Sequence, residues 1–531
     1  MRREFTNKIL IGLFCLAWLF GCSYQVPKDP ETLVWRLEAE PDTLNRLTSS
    51  DLYASVIQGF IFDSLIERDN QTLEFKPKMA ERWTVSPDHQ QFTFYLRDGI
   101  RWHDGQPVTV DDIVYSFERI IDSKVDDPHL KVYYRDIEKV EKLDARTVRF
   151  TYRRPYFMAL EFCGGIPILP KHLYDNGAEF NTHPQSRAPI GMGPYRFVSW
   201  ETGKAILLER NEEYWGKAIG RMPAIKRIRF DIVTENTVAL QILKKGQLDL
   251  IDRLRPIQWV RQTGSEKFNR EFKKYEFYTP QYSFIAWNMR KPVFADPRVR
   301  RALSMMVNRE AMLQKLQFGL GTIVTGPFYF QAPENDPSVK AVPYDPDGAR
   351  RFLQAAGWAD HNRDGVLDKD GVPFRFEFLY PSGSQTSERL ANILKEDLNK
   401  IGIQMEIRQI EWALFTKYLS DRNFDAVILA WAMGLEQDPY QLWHSSQSDK
   451  GSNLAGFQNA EADRIIEAAR SEFDRKKRVV LYRQLHRIID EVQPYTFLYN
   501  SPNLMALQRR FENVRIYPGG IDPLEWKVSQ P

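Results

Sequence analysis

Cysteine is nearly absent, with 3 in 531 residues, at positions 15, 22 and 163. A scaffold stapled by disulfides is therefore excluded. A surplus of one charge is also missing: Lys+Arg 73 against Asp+Glu 70 leaves +3, so there is no basic footprint for nucleic acid. Gly 29 and Pro 31 together make about 11% of the chain, close to average usage, which removes low-complexity and collagen-like classes. Histidine is scarce, 8 residues with no i, i+4 pair. No G-x-S-x-G, H-E-x-x-H, Walker A or C-x-x-C stretch occurs, and Gly191-Met192-Gly193 and Gly319-Leu320-Gly321 lack the third glycine of a dinucleotide fingerprint. What is present is 43% hydrophobic and 13% aromatic residues. At about 100–200 residues per domain, that composition and length mean a large multi-domain globular protein.

Residues 1–22 read as an export signal. Arg2, Arg3 and Lys8 form a positive start, and Ile9 to Phe20 is an apolar run of twelve residues. A membrane-crossing helix needs about 20, so twelve fits a signal core better. The run ends in Leu19-Phe20-Gly21-Cys22, which resembles a bacterial lipobox and implies a lipidated Cys22; a secretory signal cut elsewhere is the alternative. Residues 23–31 read as a tether. Cys163 is then the one remaining thiol, a buried small residue rather than a nucleophile. The mature chain is close to neutral, so membrane attachment would come from lipid rather than from charge.

Along the mature chain, Leu33 to Leu37 reads as a strand, and Trp83 to Trp102 as a hairpin followed by a second turn. Thr109-Val110-Asp111-Asp112 resembles a capping box opening a helix through Ile121. A second hairpin flanks Glu201-Thr202-Gly203-Lys204. The second half alternates helices, from Asp296-Pro297 and over 387–401, with strands at 403–407 and 424–431. The last is almost continuously apolar, which predicts a strand covered on both faces and an α/β layer.

Two stretches could carry chemistry. His103-Asp104 sits in a Trp-His-Asp-Gly turn, where bonds to backbone are the expected role. Asp360, Asn362, Asp364, Gly365 and Asp368 match five positions of an EF-hand-type calcium loop, but the twelfth is Gly371 instead of a bidentate glutamate. A turn that binds nothing strongly is the expectation, so no metal and no cofactor is assigned.

Five blocks in order carry a resemblance. They run from Ala80-Glu81-Arg82-Trp83 through Trp102-His103-Asp104-Gly105 to Tyr115-Ser116, then Gly191 to Tyr195 with Arg210-Asn211 and Tyr214-Trp215. Gly246-Gln247-Leu248-Asp249, Asn288 with Asp296 to Leu303, and Tyr344-Asp345-Pro346 with Ala355 to Trp358 complete them. Over essentially residues 32–515 the chain resembles the family 5 extracellular solute-binding proteins, the peptide-binding components of ABC importers.

The resemblance implies an α/β, two-lobed periplasmic-binding-protein type II fold with an extra mixed α+β domain. Lobe I would comprise 32–55, 190–280 and 497–531, the extra domain 56–189, and lobe II 281–496. It also implies a non-enzymatic binder of peptides or peptide-like solutes. Such a protein is exported, held by lipid at the periplasmic face of a bacterial membrane or at the cell surface, and monomeric. It would deliver its solute to a membrane permease with its ATPase subunits. A peptide-sensing receptor, or a binder of a nickel complex, opine or sugar, is the alternative.

For the ligand site the resemblance points to Thr48, Ser49 and Ser50 after the first strand, and to Tyr282, Trp287 and Asn288 at the crossover. It also points to Trp412 and to Trp431, Met433, Gly434, Leu435 and Glu436 in lobe II. The position four before Pro439, where peptide binders carry an aspartate for the ligand's ammonium, is Leu435. Glu436 beside it is the expected amine partner, because a buried ammonium needs a carboxylate; Asp438 reads as a turn residue.

Overall fold

The computed structural model describes residues 29–49, 51–127 and 130–529. The sequence places strand Thr32–Leu37 first, and all six of its residues are buried. It runs parallel to Arg227–Ile232 and Leu250–Ile251, at the middle of a seven-stranded sheet. The spatial order is Phe272–Phe277, Asn503–Gln508, Leu250–Ile251, Thr32–Leu37, Arg227–Ile232, Ala205–Arg210, Tyr195–Glu201. Arg36 survives inside this run because its guanidinium donates to Val233 O, Thr234 O and Asn236 Oδ1.

A five-stranded sheet has the order Gln404–Ile410, Arg375–Pro381, Ala426–Ala432, Gln281–Trp287, Tyr495–Phe497. Its first three strands are parallel. Helix Gln385–Asn399 makes the crossover between two of them and buries Leu390, Ala391, Leu394 and Leu398, the i, i+4 stripe that faces a sheet. A four-stranded antiparallel sheet, Ala80–Val85, Gln91–Leu96, Thr147–Tyr152 and Ile137–Lys142, forms a third unit. Helix Val110–Ile121 lies against it and opens with Asp112 accepting the Thr109 N–H at 2.7 Å.

The cores show what moves with what. One apolar cluster runs without a break from Leu33 and Trp35 of the seven-stranded sheet to Phe94 and Phe150 of the four-stranded sheet. Those two units are therefore one packed body. The five-stranded sheet has its own clusters, one around Trp287 and Phe376 and another around Phe284 and Tyr495. The chain passes between the two bodies at 278–280 and returns at 501–502. The two passages are stitched together: Gln281 Nε2 donates to Ser501 O at 2.7 Å and Asn500 Nδ2 to Thr279 O at 3.0 Å. Two short adjacent segments joining separate cores are what a hinge requires.

Several of the recurring sequence blocks prove to be packing devices. A Cβ at Gly191 would lie 2.0 Å from Ile61 O, and one at Gly193 would lie 2.7 Å from it. His103 donates from Nε2 to Gly193 O at 3.0 Å and accepts the Gly191 N–H on Nδ1 at 3.3 Å. Burial lowers its pKa to about 4, so it is a neutral brace with no free nitrogen. Tyr214 and Trp215 both donate to buried Asp63 at 2.9 Å, which also pairs with Lys78. Cys163 is fully buried, and burial pushes its thiol far above the usual range, which leaves it protonated and without nucleophilic character. In the calcium-like loop, Asp360 accepts the N–H groups of Asp364 and Gly365, and Asp368 that of His361. The carboxylates serve the turn itself, and among the described residues no group of three or more His, Cys, Asp or Glu side chains is placed to hold a metal ion.

Candidate functional site

Strand direction locates the cleft. In the five-stranded sheet the parallel strands end at Pro381, Ile410 and Ala432, and Ala432 pairs with Gln281 at the crossover. In the seven-stranded sheet, Leu250–Ile251 runs antiparallel to Asn503–Gln508, whose first residue adjoins the return passage. Thr32–Leu37 is parallel to Leu250–Ile251, so its carboxyl end also points to the hinge. Both sheets thus turn the carboxyl ends of their parallel strands toward the same two passages. In open α/β sheets ligands bind in the crevice outside those ends, and here two such edges share one crevice.

The loop leaving Thr32–Leu37 forms one rim. Thr48 and Ser49 are half-buried on it, Ser49 N–H donates to Asn45 O, and the Ser49 hydroxyl is closed off without a partner among the described residues. Ser50 lies outside the described residues, as do Cys22 and the whole export signal. The opposite rim follows Ile410 and Ala432. Trp412 opens helix Trp412–Ser420, is 54% exposed and stacks on Phe415. Trp431 instead lies against Phe284, with ring centroids 6.2 Å apart. Leu435 reaches across toward Gly519, whose Cβ would lie 3.5 Å from Leu435 Cδ1. Met433 is half-buried against the lobe core and Gly434 is exposed.

Tyr282 pairs with Trp431 across the strands and is buried, with its hydroxyl unpaired among the described residues. Trp287 and Asn288 are placed elsewhere. They lie at the far end of strand Gln281–Trp287, about 20 Å from the crossover at about 3.4 Å per residue. Trp287 is fully buried and its indole N–H donates to Thr496 Oγ1 at 2.9 Å. Asn288 Nδ2 donates to Phe424 O at 2.8 Å, while its Oδ1 takes the Arg290 guanidinium at 3.1 Å. Both are satisfied core residues, which corrects their assignment to the cleft.

Glu436 stands between two arginines. Its Oε2 accepts from Arg68 Nη2 at 2.8 Å and its Oε1 from Arg478 Nη2 at 2.5 Å. Arg68 ends strand Ile66–Arg68, which pairs with Phe75–Pro77 in the first body, and also holds Glu161 at 2.6 Å; Arg478 is on helix Arg475–Val492 beside the five-stranded sheet. Each carboxylate oxygen thus holds one arginine. Glu436 is a bridge between the two bodies.

Asp438 does the same more deeply. It accepts the Tyr440 N–H at 3.0 Å, the turn bond that its position suggests, and also the Tyr156 hydroxyl at 2.9 Å. Arg470 Nε lies 2.9 Å away as an ion pair, with its guanidinium between the rings of Tyr156 and Tyr440. Tyr133 hydroxyl donates to Gln441 Oε1 at 2.8 Å on the same seam. Arg68, Tyr133, Tyr156, Arg470 and Arg478 had no local signal in the sequence. Each is paired with a residue tens to hundreds of positions away, and no periodicity encodes such a meeting.

Two bodies joined by a double crossover and closing on a crevice define a ligand-capturing protein of the periplasmic-binding type. The comparisons agree. The family model of bacterial extracellular solute-binding proteins, family 5, middle region, matches residues 74–453, and the chain belongs to that family. It is 30% identical over 508 residues to the oligopeptide-binding protein AppA of Bacillus subtilis, covering 93% of this chain and 90% of AppA. It is 26% identical to the dipeptide-binding protein of Escherichia coli K12, covering 97% of each. The structure of B. subtilis AppA in complex with a nonapeptide superposes with TM-score 0.84 at 28% identity, covering 94% of this chain and 99% of AppA. NikZ of Campylobacter jejuni in complex with Ni(L-His) gives TM-score 0.82 at 25% identity, covering 94% and 100%. Among the described residues no helix is long and apolar enough to cross a membrane.

Proposed function

We propose that this protein captures peptides or peptide-like solutes in the crevice between its two bodies and hands them to an ABC permease with its ATPase subunits. The chain would be exported and held at the membrane through lipid on Cys22, acting as a monomer without enzymatic activity. The lobes are those at 32–55, 190–280 and 497–531, and at 281–496, with 56–189 as the added domain riding on the first. The observation that carries the reading is the pair of parallel-strand carboxyl edges facing one crevice beside a double crossover. Thr48, Ser49, Trp412, Met433, Gly434 and Leu435 are the proposed ligand contacts on the two rims. Capture followed by release suits an affinity near micromolar, about −8 kcal/mol.

Native mass spectrometry of the protein purified from its own source tests this reading. A ladder of short peptides is the expected cargo; a single defined non-peptide mass would overturn the peptide assignment. The N-terminal peptide of the same sample is expected to carry a diacylglyceryl cysteine at position 22, and an unmodified Cys22 would remove the anchor.

Glu436 serves as a latch in this reading. Glu436→Gln leaves two guanidinium groups facing a neutral amide, and hydrogen bonds to charged groups contribute about 1.5–3 kcal/mol. Ligand affinity, measured by calorimetry, is expected to fall about ten- to hundredfold. The loss should be the same for a peptide and for its N-acetylated form. A loss confined to the free-amine peptide would restore Glu436 as the amine partner.

A further inference from the structure

Four short segments of the added domain, at Arg68, His89, Tyr133 to Asp136 and Tyr156-Phe157, reach the second body. Besides the Arg68–Glu436 and Tyr156–Asp438 contacts, the Tyr133 hydroxyl donates to Gln441 Oε1 at 2.8 Å and the Phe157 N–H to Arg470 O at 2.9 Å. The Arg478 guanidinium lies over the Phe157 ring at 4.1 Å, and that of Arg135 over the Tyr440 ring at 5.4 Å. Exposed His89 stacks on Phe473, with ring centroids 4.0 Å and planes 19° apart. On the far side every partner lies either in the loop 436–441 or where helices Ala460–Ser471 and Arg475–Val492 meet.

The charges at this seam are paired twice. Arg68 holds Glu436 across it and Glu161 on its own side. Glu436 has Arg478 on its own side at 2.5 Å. Arg470 meets Asp136 across the seam at 3.9 Å and Asp438 within its own body at 2.9 Å, while Asp136 has Arg154 at 3.0 Å on the first side. Among the described residues the ions that reach across are thus Arg68, Asp136, Glu436 and Arg470, and each keeps a partner when the bodies part. A buried charge left alone is the heaviest penalty that separating two protein surfaces can carry, and here it is avoided on both sides. The other crossing contacts are neutral donors and ring faces, each of modest strength. Such a seam holds by the number of its contacts and opens without stranding a charge.

We propose that the added domain is a reversible clasp that sets how long the captured solute stays. Its contacts with the second body form once the cargo is in the crevice, and they break and re-form at each round of capture without leaving an ion unpaired. The inference rests on the capture reading above and assigns to 56–189 a part in release rather than in recognition. Arg68, His89, Tyr133, Tyr156 and Phe157 are not among the proposed ligand contacts, so the clasp acts alike on every cargo.

The test uses full-length protein stripped of cargo and loaded with an isotope-labelled equimolar library of tri- to nonapeptides. It is then chased with an excess of the unlabelled library, and the label retained is read by native mass spectrometry. Tyr133→Phe with Tyr156→Phe removes two crossing hydrogen bonds and leaves the rings and ion pairs in place. Labelled peptides are expected to leave this variant at least about tenfold faster than the parent, by the same factor for every peptide mass. Loading should stay within about twofold, because the clasp forms after encounter. His89→Asn removes the ring stack and suits the left-handed φ of 56° at that position; it should give a smaller increase, again uniform. Release as slow as the parent's from a double variant with an intact melting transition would overturn the clasp while leaving peptide capture intact. A factor that varies from peptide to peptide would make the two tyrosines cargo contacts and overturn it as well. Loading of no peptide by the parent would overturn the capture reading and this inference with it.

Discussion

Asp249→Ala is expected to destabilise the protein by about 3 kcal/mol, the penalty for leaving a largely buried guanidinium and a strand N–H without their carboxylate. The Asp249 side chain is fully buried; its Oδ2 accepts the Val34 N–H at 2.8 Å and Arg510 Nη2 at 2.9 Å, and its Oδ1 takes Arg510 Nε at 3.1 Å. Arg510 continues to Thr32 O at 2.7 Å. One carboxylate thus ties the first strand of the seven-stranded sheet to the segment that follows its C-terminal strand, two pieces almost 500 residues apart in the chain. Urea denaturation should show a lower midpoint, with the first transition assigned to this body. Adding Arg510→Met should recover part of the loss, because an apolar side chain is better tolerated there than a stranded cation. A change below about 1 kcal/mol in the single variant would mean that water reaches Arg510 and compensates.

The second large effect is expected at the seam between the bodies. Asp438 and Arg470 have side chains only 2% and 9% exposed. Asp438→Ala leaves Arg470 between two tyrosine rings with only Asp136 of the added domain, 3.9 Å away, to answer its charge, at a cost of about 3 kcal/mol. Asp438 and Arg470 both belong to the body of the five-stranded sheet, and the Tyr156 hydroxyl reaches Asp438 from the other body, so the loss should fall on that body's fold and on the docking together. Ligand affinity is expected to drop by more than a hundredfold, with hydrogen exchange rising around Tyr156 and Tyr440 while the sheet cores stay protected. Tyr156→Phe removes one hydrogen bond and should cost only about 1 kcal/mol. Equal effects from the two variants would show that the hydroxyl, and not the ion pair, holds the seam.

Both carboxylates had a sequence signature that hid their role. Asp249 closes the block Gly246-Gln247-Leu248-Asp249, legible as a recurring motif but silent about Arg510, 261 positions away. Asp438 before Pro439 reads as a turn residue, and it is one; its pairing with Arg470 and Tyr156 is added by tertiary packing. Glu436 gains partners in the same way. Its place beside Leu435 suggests an amine partner, but two arginines from opposite walls reach it first.

What the sequence determined by itself is what local physics encodes. The alternation at Phe92, Phe94 and Leu96 makes a strand, the Thr109–Asp112 box starts a helix, and the apolar run into Trp431 makes a strand that is covered on both faces over its first three residues, Ala426 to Ile428, and opens to solvent at Ala430 and Ala432. Each follows from a periodicity of two or 3.6 residues or from a cap within one turn. The ordered blocks carried the family, because close approaches such as Gly191 on Ile61 tolerate no other residue. The cleft's chemistry was decided only by the tertiary structure. Trp287 and Tyr282 stand on one strand five positions apart, yet one is in the core beside Thr496 and the other at the hinge edge. Arg46 looks like any loop arginine until folding sets its guanidinium over the Phe62 ring. Burial and charge pairing depend on which distant segments meet, and no local pattern records that.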